Sequence, residues 1–256
     1  MMMKAAPEAR ISRWVSAPLR GVLFDLDGTL LDTAEDIAKA LNCALAEIHL
    51  GSLATADVRN MIGGGAPILI DRALARLGAT AKTGNHADSG GAVSVDKAKL
   101  LQRFDFHYER AHRLKLSSSR AYPGAAEALR ELHEQGLKLA VVTNKGRHMA
   151  VELLDELGLG KWLDFVVGGG CSGHRKPRPE PLLFACTALQ LNPNEVLMVG
   201  DSINDVTAAR AAGIAVVCVP YGYNEGADPR ELSCDAFIES LAELPHFLSD
   251  VSPHSN

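Results

Sequence analysis

Short apolar runs alternating with helix-period segments fill the sequence from Val22 onward, and that alternation leaves few architectures open. The runs Val22 to Phe24, Leu137 to Val142, Phe165 to Val167, Val196 to Val199 and Ala215 to Val219 have the length and composition of strands buried on both faces. Between the later runs lie Ala125 to His133, Met149 to Leu157, Pro181 to Gln190 and Asp205 to Ala212, each with apolar positions three or four apart. Gly136, Gly158 and Gly213 follow the helical segments, where a left-handed cap is wanted. Strands linked by crossover helices make a parallel sheet, so the expected fold is α/β, a Rossmann-like parallel core with helices on both faces.

The rhythm breaks once. About 110 residues separate the first run from the second, far more than one crossover uses. Only helix-period patterns fill the gap: Ile37, Leu41, Leu45 and Ile48, then Ile70, Leu74 and Leu77, then Leu100, Phe104 and Tyr108. The pattern predicts a core made of 20–34 and 116–250, a small all-helical domain inserted at 35–115, and an N-terminal extension over 1–19 outside the fold. Within the insert, Thr80 to Ser94 is rich in Gly, Ser, Asp and Asn, which predicts a mobile surface loop. The basic start of the chain (Lys4, Arg10, Arg13, Arg20) lacks a continuous apolar stretch, so it is no secretory signal; a frayed, disordered extension is expected ahead of a transit peptide.

Charge and composition remove several function classes. With 26 basic and 31 acidic residues the net charge is −5, which offers no footprint for a polyphosphate backbone, so nucleic acid is not expected as a partner. No apolar run reaches membrane-spanning length. The five cysteines (Cys43, Cys171, Cys186, Cys218, Cys234) form no C-x-x-C pair, which argues against a disulfide framework or zinc ribbon and fits a reducing cytoplasm. A monomer or small homo-oligomer is expected.

Two pairs of carboxylates stand directly after strand candidates. Asp25 and Asp27 lie in Phe24-Asp25-Leu26-Asp27-Gly28-Thr29, and Asp201 and Asp205 in Gly200-Asp201-Ser202-Ile203-Asn204-Asp205. The carboxyl ends of parallel strands are where ligand sites form. An EF-hand is excluded, because Gly28 would be fourth in the loop instead of sixth and Asp36 stands at the twelfth position. Plain turn and helix-cap roles remain open for each pair taken alone. If the two strands are neighbours, Asp25, Asp27 and Asp201 crowd three negative charges into one crevice, which calls for a cation. All-oxygen ligands point to Mg²⁺.

Thr143 and Asn144 follow another strand candidate, and Lys176 precedes Pro177 in a basic stretch. A hydroxyl, backbone N–H groups and an ammonium are what phosphoryl oxygens need. Arg175 and Arg178 read as a solvated loop. Gly63-Gly64-Gly65 opens a helix toward Arg72, either as an anion-binding turn or as a flexible connection. Gly168, Gly170 and Gly173 match G-x-G-x-x-G, but no helix pattern follows, and His174 stands where a P-loop lysine belongs. H-E-x-x-H and G-x-S-x-G are absent.

Four ordered segments then resemble a known family. Asp25-Leu26-Asp27-Gly28-Thr29-Leu30, Val142-Thr143-Asn144-Lys145, Lys176-Pro177-Arg178-Pro179-Glu180-Pro181 and Gly200-Asp201-Ser202-Ile203-Asn204-Asp205 are similar to the motifs of the haloacid dehalogenase superfamily. Ile62-Gly63-Gly64-Gly65-Ala66 and Tyr221-Gly222-Tyr223-Asn224 resemble its phosphoglycolate phosphatase branch, although Gly64 and Cys171 depart from the residues usual there. The resemblance implies an Mg²⁺-dependent phosphomonoesterase acting on a small phosphorylated metabolite, 2-phosphoglycolate foremost, with the inserted helices as a cap over the catalytic core. It implies Asp25 as nucleophile and Asp27 as general acid and base. Mg²⁺ would be held by Asp25, the Asp27 carbonyl and Asp201, and the phosphoryl group by Thr143 and Lys176, with Thr29 and Asn144 beside the substrate. Ser202 and Asp205 would stand behind the ligands, and Gly63, Gly64, Gly65 and Arg72 would meet the leaving group. A sugar-phosphate phosphatase or phosphomutase is the enzymatic alternative, and a receiver-like or phosphate-binding protein the non-enzymatic one.

Overall fold

The computed structural model describes residues 17–81 and 93–249 of the 256-residue chain. The N-terminal extension up to residue 16 and most of the predicted Thr80–Ser94 loop lie outside the described residues.

The chain runs β1 (Gly21–Phe24), β2 (Leu31–Asp32), α1 (Ala34–Glu47), α2 (Thr55–Arg59), α3 (Ala66–Arg76), β3 (Ala79–Ala81), β4 (Val93–Val95), α4 (Lys97–Arg113) and β5 (Arg120–Ala121). It continues through α5 (Ala125–Glu134), β6 (Lys138–Gly146), α6 (Arg147–Glu156), β7 (Phe165–Gly169), α7 (Glu180–Leu189), β8 (Val196–Gly200), α8 (Ile203–Ala212), β9 (Ala215–Cys218), β10 (Ala236–Phe237) and α9 (Leu244–Ser249).

Six strands form one parallel sheet in the order β10-β9-β8-β1-β6-β7. Alternate strand residues separate into two apolar layers. Val22, Phe24, Leu139, Val141, Leu197 and Val199 pack against α5, α6 and α9, whereas Leu23, Ala140, Val142 and Met198 pack against α7 and α8. Both faces are therefore covered, as an all-parallel sheet requires. The sheet grows outward from β1 through β6 to β7, then returns to β8 on the other flank of β1. That reversal opens a crevice at the carboxyl ends of β1 and β8.

The inserted segment has its own apolar cluster, in which Ile37, Leu41, Leu45, Ile70, Leu74, Leu100, Phe104 and Tyr108 are buried at the spacings read from the sequence. It is not wholly helical. β3 and β4 pair in parallel, and β2 with β5 forms an antiparallel rung where the chain leaves and re-enters the core. Strands of two or three residues carry too little periodicity to be read from sequence, and the same holds for the unpredicted β10.

Candidate active site

Register places the acids. β1 pairs with β8 so that Phe24 faces Val199, and the Asp25 amide donates to the Val199 carbonyl at 2.9 Å. Asp25 and Asp201 therefore leave adjacent strands at one level. Close approach is possible because two glycines stand where side chains would intrude. Gly28 has φ of 96°, and a Cβ there or at Gly222 would collide with the Asp201 carboxylate. Asp201 is fixed from both sides, its Oδ1 accepting from the Thr29 hydroxyl at 2.5 Å and its Oδ2 from the Tyr223 amide at 2.7 Å.

Lys176 crosses the crevice beside these acids. Its ammonium lies 2.8 Å from Asp25 Oδ1 and 2.6 Å from Asp205 Oδ1. Asn144 holds the lysine by its main chain: Oδ1 accepts from the Lys176 amide and Nδ2 donates to the Lys176 carbonyl, both at 2.9 Å. The second Asp205 oxygen accepts from the Ser202 hydroxyl at 2.7 Å and from the amides of Asp201 and Ser202, joining Lys176 to the start of α8.

Three buried carboxylates thus crowd together with one ammonium, which pairs with Asp25 and Asp205. Burial raises Asp25 to about 7 against the opposing pull of Lys176, with Asp205 adding to the rise. Burial likewise raises Asp201 well above the ordinary carboxylate range, and Asp205 and Asp25 push the same way. Lys176 is raised despite its burial, because Asp205 and Asp25 hold its charge.

Oxygens of Asp25, Asp201 and Asp205 lie within 4.8 Å of one another, and among the described residues the Lys176 ammonium is the sole partner of buried Asp25 Oδ1. An excess of carboxylate charge around an under-used oxygen, with no nitrogen or sulfur donor in the set, fits a hard divalent cation such as Mg²⁺. The side-chain set differs from the expected one: it contains Asp205, whereas the Asp27 carboxylate turns elsewhere.

Asp27 accepts from the Thr33 hydroxyl at 2.6 Å and from the Lys145 ammonium at 2.9 and 3.2 Å. Lys145 is the penultimate residue of β6, and its charge is favoured by Asp27 strongly enough to overcome burial. Asp25, Asp27, Thr143, Asn144 and Lys145 line a cavity of ≈ 270 Å³, closed from the inserted segment by Ile37, Ile62, Leu69, Phe104 and Tyr108.

Several expected substrate contacts sit elsewhere. Thr29 is fully buried against Asp201, outside the cavity lining. The Asn144 amide is used up by Lys176 and by the Gly63 carbonyl, to which it donates at 2.8 Å. Gly63 and Gly65 line the cavity, but Gly63 offers a carbonyl to the core, and Gly64 packs on Ile68. Arg72 donates to the Met61 carbonyl at 3.0 Å and pairs with Glu225 at 2.7 Å, and it is not part of the cavity lining. Helical spacing told that Arg72 shares the insert with the glycine turn, not which way it faces.

Sequence reasoning gave no role to Lys145, Thr33, Tyr108 or Tyr223. Lys145 adjoins Asn144 at a strand end, a signal that was available. Tyr108 reads as a core residue by its period, and its hydroxyl is buried with no hydrogen-bond partner. Tyr223 closes the first turn of α1, its hydroxyl accepting from the amides of Thr33 (2.8 Å) and Ala34 (3.1 Å) and donating to Asp32 (2.7 Å).

The chain matches the family model described as haloacid dehalogenase-like hydrolase over residues 22–219. It is 44% identical to the phosphoglycolate phosphatase of Nitrosospira multiformis across 92% of this chain and 98% of that protein. It is 41% identical to the "phosphoglycolate phosphatase, plasmid" of Cupriavidus necator across 92% of this chain and 95% of that one. A crystal structure of a predicted phosphoglycolate phosphatase from Haemophilus somnus superposes with a TM-score of 0.78 at 31% identity, over 88% of this chain and 96% of that one.

Proposed function

Because this chain belongs to the haloacid dehalogenase-like hydrolase family and is a phosphatase of it, we propose that it hydrolyses 2-phosphoglycolate to glycolate and phosphate through an aspartyl phosphate on Asp25, with Mg²⁺ as cofactor. The observation carrying this reading is the division of labour between two carboxylates at one cavity, Asp25 against Lys176 and Asp27 against Thr33 and Lys145. The name shared by the relatives supports the substrate. In this reading residues 35–115 are a cap over a catalytic core of 20–34 and 116–250.

Asp25 attacks phosphorus, and the bond from phosphorus to the glycolate oxygen breaks. Asp27 donates a proton to the departing alkoxide. Lys176 and the Thr143 hydroxyl hold the phosphoryl oxygens. Asp27 then takes a proton from water as that water attacks phosphorus, and the bond to Asp25 breaks to release phosphate. Asp25, the Asp27 carbonyl and Asp201, with Asp205 adjoining, would hold Mg²⁺, which would supply charge neutralisation at the phosphoryl group. Apolar residues of the insert exclude water from the cavity and limit the leaving group to a compact one.

A phosphate-release screen over 2-phosphoglycolate and several sugar phosphates, with and without Mg²⁺, tests the proposal. Metal-dependent release with the highest kcat/KM for 2-phosphoglycolate is expected. A several-hundredfold preference for a hexose phosphate rejects the substrate while leaving the phosphatase.

A further inference from the structure

A glycolate leaving group carries a carboxylate, and a carboxylate held in a closed cavity needs a cation or several N–H groups. Lys176 pairs with Asp25 and Asp205 and serves the phosphoryl oxygens, and Arg72 is outside the cavity lining. Of the other basic residues in the lining, Arg147 and His148 are exposed, whereas the Lys145 side chain is only 9% exposed.

Two features surround that ammonium. Gly146 follows it as the N-cap of the ten-residue α6, which has no side-chain cap and no acidic residue in its first turn, and Gly146, Arg147, His148 and Met149 all line the cavity. The first amides of such a helix favour an anion. Against Lys145 stands Tyr108 of α4, 3% exposed, its ring centroid 4.7 Å from Lys145 Nζ and its buried hydroxyl, with the Lys145 ammonium beside it, lacking an acceptor for its proton. A buried hydroxyl left unpaired costs free energy until an acceptor arrives.

We propose that Lys145, the open N-terminus of α6 and the Tyr108 hydroxyl form the subsite for the carboxylate of the leaving group. The inference rests on reading the protein as a 2-phosphoglycolate hydrolase. Lys145 is the specificity-determining residue, exchanging part of its bond to Asp27 for the substrate carboxylate, to which Tyr108 donates its hydroxyl proton in a hydrogen bond. Asp105, exposed, and Glu109, half-buried, line the same cavity and repel anions, so a carboxylate gains only by reaching Lys145.

The test compares kcat/KM for 2-phosphoglycolate and for 2-phosphoglycolamide, its neutral isostere, in the wild type, Lys145→Met and Tyr108→Phe. The wild type is expected to favour the acid. Lys145→Met should reduce that preference on the order of 100-fold, and Tyr108→Phe, which keeps the packed ring, about 5-fold, chiefly through KM for the acid. If both variants lose activity on the two substrates in equal proportion, Lys145 acts only through Asp27 and the subsite is overturned. A wild type that shows no preference for the acid rejects the substrate reading and the subsite together.

Discussion

At the scale of single residues, the site depends on how tightly Asp201 is held. Thr29 was expected beside the substrate, yet its hydroxyl is spent on Asp201, and that reassignment makes a prediction. Thr29→Val preserves shape and removes the donor, so Mg²⁺ affinity measured by titration calorimetry should fall about 10- to 100-fold, the usual cost of losing a group that orients a ligand. Unchanged affinity would reduce Thr29 to packing. Lys176 makes a stronger case, because it neutralises two buried carboxylates at once. Lys176→Met should lower the unfolding free energy by about 3–5 kcal/mol in urea titrations without metal, and a variant as stable as the wild type would show that the acids are already neutral. The carboxylates and Lys176 were legible in the sequence because strand-end position and residue chemistry suffice to flag them. That Lys145 lines the cavity and Arg72 does not could not be read there, because direction within a cavity depends on tertiary packing.

At the scale of elements, α1 shows how the insert is tied to the core. Its N-cap residue Thr33 gives its hydroxyl to Asp27, so the Tyr223 hydroxyl covers the first amides instead. One turn later Asp36, 3% exposed, accepts hydrogen bonds from the hydroxyls of Ser117 and Ser119 at 2.7 and 2.6 Å and from the Ser118 and Ser119 amides. Burial pushes the Asp36 carboxyl upward, but these bonds outweigh it and leave the group below its ordinary value of 3.8. A depressed folded-state pKa means that the stabilisation is complete above about 3.8 and is lost as pH falls through the lower, folded value. Asp36→Asn should therefore flatten the acid limb of the stability curve below that pH, while lowering stability at pH 7 by about 1–3 kcal/mol. An acid limb as steep in the variant as in the wild type would assign the pH dependence to other carboxylates. The helices and long strands that carry these contacts were legible from period, since buried positions recur every three or four residues. β2, β3, β4, β5 and β10 were not, because strands this short are made by their partners across the chain.

At the scale of the whole molecule, the parallel sheet supplies a rigid floor and the inserted helices a separate apolar mass, with the cavity where the two meet. The interruption after β1 was visible in the sequence as a gap too long for a crossover. The cavity was not, because it is bounded by side chains from both parts. Among the described residues no helix is long and apolar enough to cross a membrane. Excess chelator should abolish turnover and added Mg²⁺ restore it; full activity in chelator would remove the cation from the account. The central claim is that Asp25 carries the phosphoryl group, and intact-protein and peptide mass spectrometry of rapidly quenched Asp27→Asn enzyme, mixed with Mg²⁺ and an aryl phosphate, tests it most directly. The account predicts one phosphoryl group on the peptide containing Asp25, absent from Asp25→Asn. Phosphate found on a serine or histidine, or wild-type turnover by Asp25→Asn, would contradict it.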